Sequence, residues 1–326
     1  MKTLKKLFIL IFIFASMPSC NEYLDVVPDN TVTLEDLFKS QEEAWDALAK
    51  VYSYMPRIDN THESIWTCGD EFLGRLDLNE NTWNLRGIRI MRGLQSPTDP
   101  LIGSWSGTGA GSPLYTGIRQ ANVFLSLIDR VPDMTEDEKN EWAAQAKFLK
   151  AYYSFLLVKQ YGPIVIAEEL ITPDATEEQL FQKRSTVEES FDYIIGLMDE
   201  AIPNLVERKT GTLLGQVDKV AAKSIKARVM LFRASPFFNG NQEYFGDFFN
   251  ENNEPFFPLD YNKEKWKDAI DAIDAAIDAC HANGIELYTY SDQVYIFDRE
   301  DYSQNQENLK RIYDLRFSVT QPWNNE

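Results

Sequence analysis

Three tryptophans lie among planar hydrogen-bonding side chains between residues 56 and 111. The set comprises Trp66, Trp83 and Trp105 with Asp70, Asn84 and Arg86. A sugar ring presents flat C–H faces and a rim of hydroxyls, so a site for it needs aromatic platforms beside planar hydrogen-bonding groups. The pattern favours a carbohydrate-binding surface. The alternative, that individual tryptophans here serve core packing, stays open at this point.

A second aromatic group follows the last predicted helix. It consists of Tyr288, Tyr290, Tyr295 and Trp323, which stand in otherwise polar sequence. These side chains meet the same requirement for aromatic platforms beside hydrogen-bonding groups. They are therefore the second set of candidate ligand-binding residues.

The elements that must position these residues are helices. Apolar residues recur at helical spacing over 33–55, 114–131, 135–161, 185–201, 219–235 and 261–282. We expect Thr33 to cap the first of these helices. The pairs Thr135/Glu138 and Ser185/Glu188 have the spacing of capping boxes. The chain is therefore predicted to be mainly α-helical.

Two of the helices pair a large aromatic residue with small residues three or four positions on, in AWDALAKVY and KWKDAIDAIDAAIDA. This spacing is typical of tetratricopeptide-like repeats, which stack into a superhelix. An unrelated helical bundle is the alternative. Residues 56–111 and the chain from 286 onward lack a clear period, so we predict a long irregular insert and an irregular C-terminal region. The predicted inner face of the last helix consists of Trp266, Ala269, Ile270, Ile273, Ala276 and Ile277.

The N-terminus has the pattern of an export signal. Lys2, Lys5 and Lys6 precede an unbroken apolar run, which is too short to cross a bilayer. The run ends at Cys20, as in a bacterial lipobox, so residues 1–19 are predicted to be a lipoprotein signal peptide and Cys20 the lipidated residue. A lipid on Cys20 would anchor the chain to a membrane without spanning it. Residues 20–326 are then one domain.

The charge of the chain excludes several partners. Three of the 32 basic residues lie in the leader, so 29 remain against 51 acidic residues. A surface this negative repels nucleic acid and anionic lipid. Cys68 and Cys280 could pair after export, but two cysteines are not a disulfide framework.

The sequence contains two segments that partly match catalytic or cofactor motifs, and each lacks residues that its motif requires. The segment Cys68-Gly-Asp-Glu-Phe72 lacks the first glycine of a cyclase GGDEF turn. The run that begins at Asp77 lacks the glycine and glutamate of a calcium loop. No nucleotide, zinc-protease or serine-hydrolase motif is present. The sequence predicts no cofactor and no enzyme, with a surface glycosidase as the weaker alternative because acidic pairs are everywhere.

Several blocks resemble the SusD/RagB family of outer-membrane nutrient-binding lipoproteins. They are CNEYLDVVPDN, YTGIRQANVFLSLID, EWAAQAKFLKAYYSFLLVKQYGPIVI, RSTVEESFDYIIGLMDEAI, KVAAKSIKARVMLFRASPFFN and YNKEKWKDAIDAIDAAIDA. Lys150 stands where the family usually has arginine, and family members continue past residue 326. We therefore interpret the chain as an N-terminal portion of the family's usual length.

The resemblance implies a surface lipoprotein on the outer membrane that lies over a TonB-dependent, SusC-like transporter. It would bind glycan and deliver it to that transporter without catalysis. A peptide or protein-derived nutrient is the alternative ligand for the same fold and partner. The family resemblance implies ligand contacts in the 56–111 insert and in the C-terminal region, but it does not assign them to individual residues. Arg119 and Asn122 match a family block and are expected to tie helices together.

Overall fold

The computed structural model describes residues 38–56, 86–109, 111–172 and 174–287. Within these ranges the side chains of Arg86, Ile88 and Gly109 are not described. The predicted signal peptide, Cys20, most of the insert and the aromatic residues after 287 lie outside the described residues.

The described chain is mainly helical, as predicted, with one short hairpin. The α-helices are α1 Gln41–Tyr52, α2 Arg86–Met91, α3 Leu114–Leu127, α4 Glu136–Tyr161, α5 Glu177–Leu180, α6 Val187–Ala201, α7 Lys219–Ala234, α8 Gln242–Phe245 and α9 Glu264–Ala282. The strands β1 Ile102–Gly103 and β2 Thr108–Gly109 pair antiparallel. Short 3₁₀ turns span Ile128–Arg130, Ile202–Asn204 and Gly211–Leu213.

The long helices pack as a stack in chain order. α1 packs on α3, α3 on α4, α4 on α6, α6 on α7 and α7 on α9. The buried side chains of α3, α4 and α6 form one continuous core, which includes the fully buried Phe124, Tyr153 and Phe191. Each helix therefore buries its apolar face mainly against its neighbours in the chain, which is the arrangement of a helical-repeat fold.

Capping side chains fix where the helices begin. The predicted box at the start of α4 is confirmed, since Thr135 accepts from the Glu138 amide and the Glu138 carboxylate accepts from the Thr135 amide. The box predicted at Ser185 is wrong by one residue, because Thr186 and Glu189 make these bonds at the start of α6. Both registers match the sequence pattern, and burial of Val187 at the first helical position selects the second.

The first helix begins later than predicted. Ser40 caps α1 by accepting from the Glu43 amide at 3.3 Å, and the Lys39 amide donates to the Glu43 carboxylate at 3.0 Å. The first bond satisfies one of the amides that the start of a helix leaves unpaired, and the second holds the residue before the cap. α1 therefore begins at Gln41 with Ser40 as its cap, and not at residue 33 as predicted; Thr33 itself lies outside the described residues.

The described part of the insert is more regular than predicted. It contains α2 and the β1–β2 hairpin. These elements are too short to produce a clear hydrophobic periodicity in the sequence, so they were not predicted. A Cβ on Gly111 would lie 2.2 Å from the backbone carbon of Gly103, so only glycine allows this close approach. The hairpin is tied to the end of α4, since the Gln160 side chain donates to the Ile102 carbonyl at 3.0 Å.

The inner face of α9 differs from the predicted one. Ala269 and Ala276 are buried, as predicted, but Ile270 and Ile277 are 55% and 45% exposed. The α7–α9 contact is built on small residues, with Ala234 of α7 packed beside Ala269. Small residues allow two helices to approach closely, so the alanine stripe faces α7 and the isoleucines turn outward.

Candidate functional site

Trp105 occupies the turn between β1 and β2, at the C-terminal end of α4. Its ring lies 4.7 Å from the Tyr115 ring and 5.6 Å from the Tyr161 ring, measured between centroids. Its amide donates to the Tyr161 hydroxyl at 3.2 Å. The exposed Arg184 places its guanidinium 5.3 Å from the centroid of the indole. We call these four residues the Trp105 cluster.

In the Trp105 cluster the Tyr115 hydroxyl is hydrogen-bonded to the backbone, and the Arg184 guanidinium is exposed to solvent. The Tyr115 hydroxyl donates to the Val165 carbonyl and accepts from the Val165 amide, both at 3.0 Å. Burial raises the pKa of Tyr115 to about 12, against the opposing effects of the Val165 hydrogen bond and the Arg184 charge. The hydroxyl therefore stays protonated near neutral pH. Arg184 is the group of this cluster that offers charged donors to solvent.

A second aromatic group also lies at the C-terminal end of α4. Residues 237–257 bring together Phe237, Phe238, Phe245, Phe248, Phe256 and Phe257, which we call the phenylalanine loop. The Phe245 and Phe257 rings stack at 6° to each other. Phe257 sits over Gly162, where a Cβ would come within 2.8 Å of the ring and where φ is +71°. Gly162 therefore both ends α4 and leaves the space in which the Phe257 ring of this loop packs.

The rim of the phenylalanine loop is exposed. Phe237 is 51% exposed and Phe248 is 38% exposed, and both rings border the buried Phe257. Tyr244 is 70% exposed on the same loop. Exposed polar side chains stand beside them, namely Gln242, Glu243, Asp247, Glu251, Asn252, Asn253 and Glu254. Aromatic faces are thus open to solvent next to carboxylates and amides.

Residues 183–187 join the two aromatic groups. Lys183 forms an ion pair with Glu251 of the phenylalanine loop, and Arg184 lies over Trp105. The Val187 amide donates to the Phe256 carbonyl at 2.9 Å. Residues 183–187 therefore contact both aromatic groups. The Trp105 cluster and the phenylalanine loop lie side by side at the C-terminal end of α4.

Of the predicted ligand-binding residues, the structure describes only Trp105 with its side chain. Arg86 begins α2, but its side chain is not described. The others lie outside the described residues: Trp66, Asp70, Trp83, Asn84, Tyr288, Tyr290, Tyr295 and Trp323. Their role stays a prediction. Trp105 itself is partly covered by its three neighbours and is not an open platform.

Neither the phenylalanine loop nor Arg184 was predicted from the sequence. The signal for the loop was present in FFNGNQEYFGDFFNENNEPFFPLDY, which combines seven phenylalanines and two tyrosines with asparagines and acids. The loop stands outside the long helices, where aromatic side chains are not required for helix packing. Aromatic residues concentrated outside the long helices are thus the sequence signal of this loop.

The segment after α4 is held by side chains from two helices, α3 and α4. Asn122 donates to the carbonyls of Ala167 and Glu169 at 3.1 and 3.0 Å, and Arg119 donates to that of Ile171 at 3.0 Å. The buried Lys150 donates to the Glu168 carbonyl at 2.6 Å. Arg119 and Asn122 therefore tie this segment to α3, whereas we expected them to tie helices together.

The described residues lack two other kinds of feature. No group of three or more histidine, cysteine, aspartate or glutamate side chains is arranged to hold a metal ion in this part of the chain. Within the same residues, each helix is too short or too polar to pass through a bilayer.

The SusD-like family, described as starch-binding associating with outer membrane, has a family model that matches residues 22–231. This match covers more than half of the chain. A SusD-like protein of Bacteroides ovatus is 23% identical over 294 residues, which cover 89% of this chain and 46% of the relative.

Solved structures agree with this match. The structure named BT4246 is 25% identical, with a TM-score of 0.69 over 86% of this chain and 48% of its own. A laminarin-binding SusD-like protein is 23% identical, with a TM-score of 0.52 over 60% of this chain and 41% of its own. The chain therefore belongs to the SusD-like family. It spans about half the length of these relatives.

Proposed function

We propose that this chain binds carbohydrate through exposed aromatic side chains at the C-terminal end of α4. The observation that carries the proposal is the exposed rim of the phenylalanine loop, where Phe237, Tyr244 and Phe248 stand beside carboxylates and amides. Rings of this kind cover the C–H faces of sugars, while planar polar groups bind the hydroxyls. Family membership and the printed name of the laminarin-binding relative support the same ligand class.

Arg184, which lies over the partly covered Trp105, extends this surface. The Arg184 guanidinium is exposed, carries several donors and is kept in place by the ring beneath it. Trp66, Asp70, Trp83, Asn84 and Arg86 of the insert, together with the aromatic residues after 287, are proposed as further contacts. Binding would occur without turnover of the ligand, as expected of a capture protein.

The test is a titration of the soluble chain from Asn21 onward with a panel of polysaccharides that includes starch and laminarin. We expect saturable heat release with one glycan class, and at least tenfold weaker binding for Phe237→Ala and Phe248→Ala. Trp66→Ala and Trp83→Ala belong in the same series. Leu214→Ala removes a side chain that is 79% exposed elsewhere, and it is the matched control.

Three results would contradict the proposal. Binding of a peptide panel but of no glycan would assign the alternative ligand class. Glycan binding unchanged in both phenylalanine variants would place the site elsewhere. Release of reducing ends during the titration would indicate a glycosidase.

We also propose that Cys20 carries a lipid which anchors the chain to the outer face of the outer membrane. The printed family description, with its outer-membrane association, supports this location. We expect Cys20→Ser to move the protein from the membrane fraction to the soluble fraction. Retention of the variant in membranes would contradict an anchor at this residue.

The third part of the proposal is the partner, a SusC-like TonB-dependent transporter that receives the glycan. Family membership supports it. We expect a tagged full-length chain to co-purify with such a barrel from detergent-solubilised outer membranes. Recovery of the tagged chain without a barrel would contradict this partner.

A further inference from the structure

A groove lined by two tryptophans lies at the N-terminal end of α4. Trp45 of α1 and Trp142 of α4 line it on one side. The segment between α6 and α7 lines it on the other side, with Val206 and Leu213 among its residues. We call this cavity the tryptophan groove. Its volume of about 610 Å³ falls within the range of about 300–1,000 Å³ for small-molecule sites.

The lining of the tryptophan groove is mostly apolar. The Trp45 and Trp142 rings pack edge to face with their centroids 5.5 Å apart, and both side chains are half-buried. Val206 and Leu213 are exposed at the groove. A ligand that enters the groove therefore meets aromatic and aliphatic side chains that the described residues leave partly open to solvent.

Hydrogen bonds hold the wall opposite the tryptophans in place. The Lys209 amide donates to the Asp218 carboxylate at 3.0 Å, and the buried Lys209 ammonium lies 2.8 Å from a Glu141 oxygen of α4. The Val217 amide donates to the hydroxyl of Tyr52 on α1 at 3.0 Å. The wall is thus tied to both helices that carry the tryptophans. The groove is preformed, so a ligand binds without the cost of ordering this wall.

Polar side chains at the groove are available to a ligand. Asp137 and Thr210 line the groove, and neither side chain has a hydrogen-bond or ion-pair partner among the described residues. Arg208 donates from one guanidinium nitrogen to the Asn283 carbonyl at 2.6 Å, which leaves its other donors for a ligand. The groove therefore combines an apolar lining with a carboxylate, a hydroxyl and a guanidinium.

This combination fits a sugar ring better than a wholly apolar ligand. The C–H faces of a sugar pack on indole rings, and its hydroxyls bond to polar groups such as Asp137, Thr210 and Arg208. A wholly apolar ligand would cover these polar groups without giving them hydrogen-bond partners, which costs free energy.

The tryptophan groove is separate from the aromatic surface at the other end of α4. Trp142 and Tyr161 of the Trp105 cluster stand on the same helix, about 28 Å apart along its axis at about 1.5 Å per residue. The residues that line the groove belong neither to the Trp105 cluster nor to the phenylalanine loop. The groove is thus a second place at which a ligand can bind.

We propose that the tryptophan groove is a second carbohydrate-binding site. Trp45 and Trp142 contact the C–H face of a sugar residue, and Asp137, Thr210 and Arg208 bind its hydroxyls. This inference rests on the proposed function for the class of ligand, but the two sites share no residue and are tested apart.

The first test is fluorine NMR of the chain from Asn21 onward with 5-fluorotryptophan in place of tryptophan. The probes are oligosaccharides prepared from each polysaccharide of the panel, and the resonances are assigned by single replacements with phenylalanine. We expect oligosaccharides of one glycan class to shift the Trp45 and Trp142 resonances saturably. The same shifts are expected in a chain that carries Phe237→Ala and Phe248→Ala.

The outcomes separate this inference from the proposed function. Glycan binding that depends on Phe237 and Phe248 but leaves the Trp45 and Trp142 resonances unmoved would overturn the second site and retain the first. Shifts of both resonances, with affinity insensitive to the phenylalanine variants, would support the groove and contradict the site at the C-terminal end of α4. Absence of a shift at both tryptophans with every probe would overturn the second site.

The second test blocks the groove after the chain has folded. Leu213→Cys introduces a thiol at the groove, and Leu214→Cys is the matched control because this exposed neighbour does not line it. Each is made in a chain that also carries Cys68→Ser and Cys280→Ser. After reaction with N-ethylmaleimide, the oligosaccharide should no longer shift the two indole resonances in the Leu213→Cys chain and should still shift them in the control. Equal responses of the two labelled chains would overturn the proposal.

Discussion

The guanidinium carbon of Arg184 lies 5.3 Å from the centroid of the Trp105 indole. The two residues are far apart in the chain, on the β1–β2 turn and on the segment that leads into α6. Their contact joins the hairpin of the insert to the segment that borders the phenylalanine loop. This contact therefore couples the position of the Trp105 cluster to that of the phenylalanine loop.

This contact predicts a coupling between the two side chains. Arg184→Ala should lower the free energy of unfolding by about 0.5–1 kcal/mol, the range for an exposed cation–π pair. In a Trp105→Leu background the same change should cost almost nothing, because the aromatic face is gone. Urea unfolding of the four chains measures the coupling as a double-mutant cycle. An equal cost of Arg184→Ala in both backgrounds would mean that Arg184 acts through another neighbour.

The helical part of the fold could be predicted from the sequence because its determinants are local. Thr135 and Glu138 mark the start of α4 by their capping bonds, and Gly162 marks its end because glycine tolerates a φ of +71°. Ser185 with Glu188 and Thr186 with Glu189 both have the spacing of a capping box, and the sequence pattern alone led to the wrong pair. Burial of Val187 in the folded protein made that choice.

The candidate site could not be predicted to the same degree. Trp105 was selected by residue type, but its contact with Arg184 depends on how distant segments pack. On α9 the sequence contains both alanines and isoleucines at helical spacing, and periodicity cannot rank them. Close approach of α7 selected the alanines, which decided the orientation of the helix.

A buried ion pair outside the site predicts a large effect on stability. Lys209 is 5% exposed; its ammonium lies 2.8 Å from a Glu141 oxygen and donates to Gln216 at 2.7 Å. Lys209→Met would leave the Glu141 carboxylate, which is 14% exposed, without its cationic partner, although the Gln145 amide still donates to it. We therefore expect a loss of about 3 kcal/mol in the free energy of unfolding, the lower end of the range for a broken buried pair. Urea denaturation measures the loss.

Two companion variants test this explanation. Lys209→Met combined with Glu141→Gln should recover a large part of the loss, since no uncompensated charge remains. Lys183→Met breaks the exposed ion pair with Glu251 and should cost less than about 1 kcal/mol. Similar losses for Lys209→Met and Lys183→Met would argue against a role for burial.

Lys150 predicts a dependence of stability on pH. Burial lowers the pKa of Lys150 from its ordinary 10.5 to about 8, against the opposing charge of Glu168. Between these two values the unfolded chain binds more protons than the folded chain, so the contribution of Lys150 to stability rises with pH. At pH 9.5 the gain relative to pH 7 should be about 2 kcal/mol, at 1.36 kcal/mol per pKa unit.

The measurement compares the unmodified chain with Lys150→Met by urea denaturation at both pH values. Methionine has a similar length and no charge, so other titrating groups cancel in the difference. We expect the unmodified chain to gain stability relative to the variant as the pH rises. A constant difference between the two chains would mean that Lys150 keeps its ordinary pKa.

Two helical glycines predict opposite effects of the same substitution. Gly117 lies on the buried face of α3, where a Cβ would come within 2.9 Å of both the Tyr153 ring and the Tyr54 Cβ. Gly196 lies on α6 with nothing within 4 Å of its added Cβ. Alanine is favoured over glycine inside a helix by about 1 kcal/mol. We therefore expect Gly196→Ala to raise the melting temperature and Gly117→Ala to lower it, because overpacking costs about 1–3 kcal/mol. Calorimetry of both variants decides the matter, and a stabilised Gly117→Ala would mean that the two tyrosines move apart at little cost.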